Sequence, residues 1–391
     1  MAIKVLHLLS NRRWTERSEP AVDLALAERA LGAEITFVCG RSPEGSEPGV
    51  AFHAVQKGLD SVVVLEMPKH FRLLSAFRDI RKLRQLVTDS NPDIVYCHMP
   101  NAHLLGSLAR GRSRPPFVVR GCYDPEGPKG DVRSRFLYKR HTDGLVVISG
   151  EAKEKAMTRY GFPSNAIVVA EPGIDLRRFS RDRKMTEGRE DFGLREDHCV
   201  LGVVSRIRES RRIDVVLGAV RILAKEFPHL RLLLVGRGRK NAVEKVVKEP
   251  ARKMGIADRV ILAGYCRDDR LVAAYRVMDM LIYPMPGTDK SCRTVREAMA
   301  SGVPVIASRI GFLPELIEHG VNGYLIDLSS DDLSNILSDL IRNPSKIDKM
   351  SRRASETANQ RFSTALQAEK TLSFYRSLMD GRRDQPAQYP G

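Results

Sequence analysis

Residues 283–326 read YPMPGTDKSCRTVREAMASGVPVIASRIGFLPELIEHGVNGYLI, and their order of apolar runs and breakers spells a strand, a loop, a helix and a second strand. An apolar run ends at Tyr283, a Pro/Gly loop follows, a helical pattern starts near Thr294, and Gly302 closes that helix before VPVIAS. A helix that starts at the end of a buried strand turns unpaired amides and a partial positive charge toward the loop, the arrangement that cradles phosphate. The stretch predicts that amides around Cys292, Arg293 and Thr294 hold a diphosphate and that Glu297, one turn into the helix, takes the two hydroxyls of a ribose. Asp289, eight positions earlier, falls on the loop beside the same ligand. Either acid alone reads as an ordinary solvated helix or turn residue; the complete string gives them a shared purpose.

Working outward, the same rhythm fills the chain. The first series is KVLHLL, EITFVCG, SVVVLEM, DIVYCHM, FVVRG and GLVVIS, with helices expected near 21–31 and 102–109; the second is VLGVVSR, LRLLLVG, RVILAG, DMLIYP and VPVIAS. Short β-branched runs, each followed by a helical pattern, are what a parallel sheet with crossover helices requires. Between the series lies a polar stretch, RRFSRDRKMTEGREDFGLREDH, which predicts a linker over residues 176–197. A chain of 391 residues exceeds what one core usually organises. The fold class is therefore α/β, with two doubly wound, Rossmann-like domains that bind ligands at the carboxyl ends of their strands. The tail GRRDQPAQYPG reads as disordered.

Hydrophobic residues make up 42% and charged residues 29%, which supplies two cores and gives no case for wholesale disorder. The formal charge of +16 implies attraction to an anion: nucleic acid, an acidic membrane or a phosphorylated ligand. No zinc-finger spacing, RRM-like aromatic signature or KH-type loop accompanies the basic residues, so nucleic acid is the least favoured partner. Cys39, Cys97, Cys122, Cys199, Cys266 and Cys292 form no CxxC pair, against both a zinc site and a disulfide framework. The opening MAIKVLHLLSNRRW is too short an apolar run for a signal peptide, and no run of about 18 apolar residues occurs, so the expected location is cytoplasmic. Residues 68–87, PKHFRLLSAFRDIRKLRQLV, set Leu73, Phe77, Ile80 and Leu83 at helical spacing among Lys69, Arg72, Arg78, Arg81, Lys82 and Arg84, with Asp79 the single acid. That stripe packs on a sheet with its cations solvated, or it docks the domain on an anionic membrane.

EAMASGVPVIASRIGFLPELIEHGVNGYLI, residues 297–326, resembles almost letter for letter the signature of the retaining glycosyltransferases of family 4. In that signature a Glu and seven residues precede a second Glu, then AMA.G.PVIA...G..PE.I..G..G.L. The first Glu is Asp289 here, one methylene shorter, and the usual GFG is Lys290, Ser291 and Cys292. VVSRIRESRR, residues 203–212, resembles the family's GR....KG, which makes Arg206 and Arg211 the pair that grips the donor diphosphate. Arginine forks suit phosphate oxygens and meet the charge that grows on the departing nucleotide. LLLVGRGRK, with Gly236 and Gly238, and the turn Gly264–Cys266, with Tyr265 and Cys266, are then expected to border the nucleotide and its base.

The first half is similar more loosely. PDIVYCHMPNAHLLGSLA and AEPGIDLRRF resemble family segments, but the glycine pair after the first strand is replaced by Ser18, Glu19 and Pro20, and the strand after PPFVV carries Arg120, Gly121 and Cys122 in place of a His. His98, Asn101 and Arg120 are the acceptor-side candidates.

The resemblance implies the GT-B fold: an acceptor-binding domain over 1–175, the linker at 176–197, a nucleotide-sugar-binding domain over 198–365, a helix over 366–380 returning to the first domain, and the tail 381–391. It implies retaining transfer of a sugar from a UDP- or GDP-sugar to a hydroxyl of a glycan or lipid-linked acceptor, in cell-surface glycan, lipopolysaccharide or glycolipid synthesis. Arg206, Arg211, Asp289 and Glu297 are its catalytic set, and Ser291, Cys292, Arg293 and Thr294 line the nucleotide. No metal and no cofactor besides the donor is implied. A GT-B epimerase would be expected to bring several acids and histidines to its cleft; a catalytically degenerate scaffold would bind the sugar nucleotide without turnover.

Overall fold

In the computed structural model, which describes residues 2–15, 17–45, 47–67, 73–110, 116–128, 132–286 and 291–383, the two series of apolar runs become two parallel sheets. The first comprises β1 (Lys4–Leu9), β2 (Glu34–Gly40), β3 (Val62–Leu65), β4 (Ile94–Cys97), β5 (Phe117–Cys122), β6 (Gly144–Val147) and β7 (Ile167–Val169), ordered β3-β2-β1-β4-β5-β6-β7. The second comprises β8 (Cys199–Val204), β9 (Leu230–Val235), β10 (Val260–Gly264), β11 (Met280–Tyr283), β12 (Val305–Ser308) and β13 (Gly323–Ile326), ordered β10-β9-β8-β11-β12-β13. All residues of β4, β11 and β12 are buried, which explains why these runs are continuously apolar and do not alternate: helices cover both faces of a parallel sheet. Sequence reading did not assign β7 and β13, which are short.

Each sheet reverses its winding once. The first does so at β1, flanked by β2 and β4, and the second at β8, flanked by β9 and β11. A ligand crevice opens at the carboxyl ends of strands at such a reversal.

The chain divides into one unit of Met1–Gly173 with Thr364–Gly391 and a second of Ile174–Ser363. The helix Thr364–Arg383 belongs to the first unit, where Ala368, Leu372 and Tyr375 join Leu24, Val5, Tyr96 and Val119 in one cluster. The core of the second unit sets Leu201, Val203, Leu232, Leu234 and Ile282 against Val216, Val220, Leu333 and Leu337.

Three expectations change. Residues 176–197 are not a free linker but part of the second unit, where Phe179, Phe192 and Leu194 are buried and Arg189 pairs with Asp279 at 3.1 Å. A few apolar anchors fix a segment whose composition is otherwise polar. At the other end the helix continues to Arg383, so residues 381–383, expected in the tail, are helical, while 384–391 lie outside the described residues. Finally, the stripe on the helix Leu73–Ser90 splits: Leu83 is fully buried while Phe77 and its neighbour Leu74 are 68% and 79% exposed. Asp79 is buried and accepts from the amides of Glu66 and Met67 at 3.0 and 2.9 Å, so it ties the helix to the exit of β3 and leaves Arg78, Arg81, Lys82 and Arg84 outside without an acid among them. Lys69 and Arg72 lie outside the described residues. No helix among the described residues is long and apolar enough to cross a membrane.

Candidate active site

The carboxyl ends of β8, β9 and β10 are laced into one rim by backbone hydrogen bonds. Ser205 and Ile207 donate to the carbonyls of Val235 and Arg237 at 3.0 and 2.8 Å, and Gly236 donates to Gly264 at 2.7 Å. Gly236 has a φ of +145°, and a Cβ there would sit 1.9 Å from the Ser205 carbonyl oxygen; at Gly238 it would meet Val243 and Ile207 at 2.6 and 2.9 Å. Both glycines are thus required by the approach of two chain segments, a reason independent of any ligand.

Arg206 leaves the end of β8 exposed, and its guanidinium has no partner among the described residues. Arg211, half-buried, donates through Nη1 to the carbonyl of Pro286 on the loop after β11, and its buried Nε is without a partner among the described residues. This bond joins the β8 loop to the loop that leads to the helix Arg293–Ala300. A buried guanidinium nitrogen left unpaired costs free energy unless something else accepts from it, and an anion at this rim would do so.

The helix Arg293–Ala300 starts where the sequence placed it and ends in a turn that Gly302, at φ +74°, makes possible, with Val303 donating to Ala298 at 2.9 Å. At its start Cys292, fully buried, holds φ +54° and ψ +47°, a left-handed conformation natural to the glycine expected there and strained for cysteine. Glu297 is buried and both its oxygens accept: Oε2 from the Tyr275 hydroxyl at 2.9 Å, Oε1 from Arg293 Nε at 2.7 Å. Burial, then the neighbouring Glu297 charge, pushes the Tyr275 phenol well above its ordinary value, which keeps it protonated and donating. Arg293 pairs forward with Glu297 from the positive end of the helix, the unfavourable order for the helix dipole. A cation held there gains from an anion above it. Ser291 accepts from the buried Arg296 at 2.9 Å, a bond within the loop base.

Tyr265 is half exposed at the end of β10, between the guanidiniums of Arg237 and Arg267 at 4.0 and 4.9 Å from its ring centre. Cys266 is buried, and desolvation raises its thiol above the ordinary range. Asp289 and Lys290 lie outside the described residues. Sequence reasoning missed Tyr275, Arg237 and Arg267. Arg237 lay inside the quoted Gly-x-Gly turn, but nothing local in the sequence marks Tyr275 as the partner of a carboxylate 22 residues on.

On the first unit the expectations fare differently. His98 is 1% exposed and both ring nitrogens are taken, Nε2 by His7 Nδ1 at 3.0 Å and Nδ1 by the Tyr123 hydroxyl at 2.9 Å. It is an interior residue and cannot itself meet an acceptor. Burial, then the His7 and Arg120 charges, holds it well below the ordinary imidazole value and so neutral. Arg120 is also buried, donating to the carbonyls of Cys97 and Gly121, so it braces the ends of β4 and β5 and leaves its Nε without a partner among the described residues. Asn101 is exposed on the helix Pro100–Ala109.

Comparison with known proteins bears on the family and the fold. Residues 184–361 match the family described as glycosyl transferases group 1, and residues 21–178 match glycosyltransferase family 4. A D-inositol 3-phosphate glycosyltransferase of Nocardia farcinica is 26% identical over 386 residues, 94% of this chain and 83% of that protein. Its counterpart from Rhodococcus jostii is 29% identical over 301 residues, 73% of this chain and 66% of that protein, so the aligned stretch spans about two thirds of that relative. The crystal structure of Anabaena HepE in complex with UDP superposes with a TM-score of 0.74 at 20% identity, covering 98% of this chain and all of that one. At that identity the likeness speaks for the fold, which is GT-B.

Proposed function

The chain belongs to glycosyltransferase family 4, and on that premise we propose that it transfers a sugar, with retention of anomeric configuration, from a UDP-sugar to a hydroxyl of a phosphorylated polyol or glycan. The observation that carries the reading is the buried Glu297 carboxylate, held by Tyr275 and Arg293 at a helix start on the same rim as Arg206 and Arg211. Glu297 is suited to accept from ribose hydroxyls through lone pairs beyond the two already used, and the arginines to bind the diphosphate and take up its growing charge as the glycosidic bond breaks. The choice of UDP over GDP leans on the HepE complex, and the acceptor class on the name shared by the two relatives.

Retention fits departure of the diphosphate and arrival of the acceptor on one face of the sugar, with a phosphate oxygen taking the acceptor proton. Asp289 would then lie against the donor sugar, as the family pattern implies. Incubation with a panel of UDP- and GDP-sugars and D-inositol 3-phosphate, read by NMR of the anomeric proton, tests the proposal. An axial product from an axial donor is expected. Nucleotide binding with no turnover across the panel would favour a scaffold.

We also propose peripheral attachment to an anionic membrane through the helix Leu73–Ser90, whose exposed Leu74 and Phe77 stand beside Arg78, Arg81, Lys82 and Arg84. Each cation near an acidic surface contributes about 1 kcal/mol. Sedimentation with anionic vesicles that is lost on neutral vesicles and in high salt is the expected result; equal sedimentation with both, or none, contradicts it.

A further inference from the structure

Six of the eight residues of the helix Arg293–Ala300 are buried, and one of the six is Arg296, which is 1% exposed. A guanidinium stays ionised at every working pH, so the second unit holds a permanent positive charge in its interior. Burying a charge costs far more than burying an apolar side chain of similar volume, and apolar residues often replace such groups without loss of stability. Stability alone therefore does not account for an arginine here.

Arg296 donates through Nη2 to the hydroxyl of Ser291 at 2.9 Å, five residues back along the chain and before the helix begins. Side chains on a helix lean toward its N-terminus, so a long one in the first turn can reach that far. Ser291, itself buried, directly precedes Cys292, whose left-handed backbone opens the helix. A conformation of that kind persists only where its surroundings hold it. Two arginines hold this loop. Arg211 donates to the carbonyl of Pro286 near its beginning and Arg296 to Ser291 at its end, while residues 287–290 between them lie outside the described residues. Arg211 comes from the rim itself, and Arg296 comes from the interior.

We propose that Arg296 is a positioning residue for the diphosphate of the nucleotide. Its bond to Ser291 fixes the left-handed turn at Cys292 and with it the amides of Arg293 and Thr294, which have no partner within the helix, and its charge adds to theirs. This rests on the transferase reading above and deepens it: the hydroxyl of Ser291 is turned inward to the arginine, and the loop meets the ligand through its backbone.

The test titrates the full chain with UDP by calorimetry and with uridine, which lacks the phosphates, by ligand-observed NMR. Ser291→Ala, which removes a single oxygen, should weaken UDP binding about fivefold and leave uridine within about twofold of wild type. Arg296→Met should weaken UDP about thirtyfold with the same indifference to uridine, and Arg296→Lys, which keeps the charge, should recover part of the loss. Adding Ser291→Ala to Arg296→Met should change UDP affinity by less than about twofold, because the bond is already gone. Equal losses for UDP and uridine, unchanged UDP affinity in Ser291→Ala, or fully additive effects in the double variant each overturn the proposal. Should Arg296→Met fail to fold, Ser291→Ala decides by the same pair of ligands. A wild-type chain that binds neither ligand overturns the transferase reading and this proposal together; a wild-type chain that binds UDP beside variants that bind it equally well overturns this proposal alone.

Discussion

Glu297 and Glu28 are both buried carboxylates that accept from a tyrosine hydroxyl, one in each unit, yet their partners lie at very different distances along the chain. Glu297 is held by Arg293, four residues before it, and Tyr275, 22 before it. Glu28 is held by His7, 21 residues before it, and by Thr371 and Tyr375, 343 and 347 residues after it. The first sits at a helix start on the rim where the Arg206 guanidinium and the Nε of Arg211 have no partner among the described residues, and the second is sealed among residues that bond to it from three sides. A carboxylate whose surroundings are left incomplete is placed for a ligand. One whose surroundings are closed organises the protein.

Substitution should separate the two most sharply. Glu297→Ala leaves a ribose without its acceptor and is expected to weaken UDP binding by about 2–4 kcal/mol in a calorimetric titration. Glu28→Ala should leave UDP affinity alone and lower stability by about 3–5 kcal/mol in denaturant titration, since it strands His7 and Tyr375 in the interior. Unchanged UDP affinity in Glu297→Ala would break the comparison at its root.

Smaller effects sharpen it. Arg211→Ala should lower kcat by about a hundredfold, more than it weakens UDP binding, because the charge it meets grows as the diphosphate departs. A pure binding defect with intact kcat would assign Arg211 to the ground state. Smaller still, Cys292→Gly should stay within about 1 kcal/mol of wild-type stability, relief of a left-handed cysteine offsetting the loss of a buried thiol. Cys292→Val should cost more than about 2 kcal/mol, since a β-branched residue tolerates that conformation least. Equal stability of the two would show that the backbone there is not constrained.

The same contrast explains what could be read in the sequence. Continuous apolar runs announced most strands, because sheets covered on both faces need them, and the helix at Arg293 was legible because its breakers and its closing Gly302 are local. Gly236 and Gly238 were legible as glycines of a turn, and the structure adds a reason that no local pattern carries: they sit where the β8 and β9 loops meet. Residues 176–197 looked like a linker because Phe179, Phe192 and Leu194 are few among many charges, and composition averages them away. His98 looked like a lone histidine at a strand end, since its partners His7 and Tyr123 are 91 and 25 residues distant. Interactions closed over such separations leave no spacing to detect.

The central claim is that the nucleotide binds the rim of the second unit at the ends of β8 and β11. Hydrogen exchange of the full chain with and without saturating UDP tests it directly. Protection is predicted in the peptides spanning 205–212 and 291–300, with the first unit's peptides around 98 and 123 unchanged by the nucleotide alone. Protection confined to the first unit, or none at 291–300, would contradict the account.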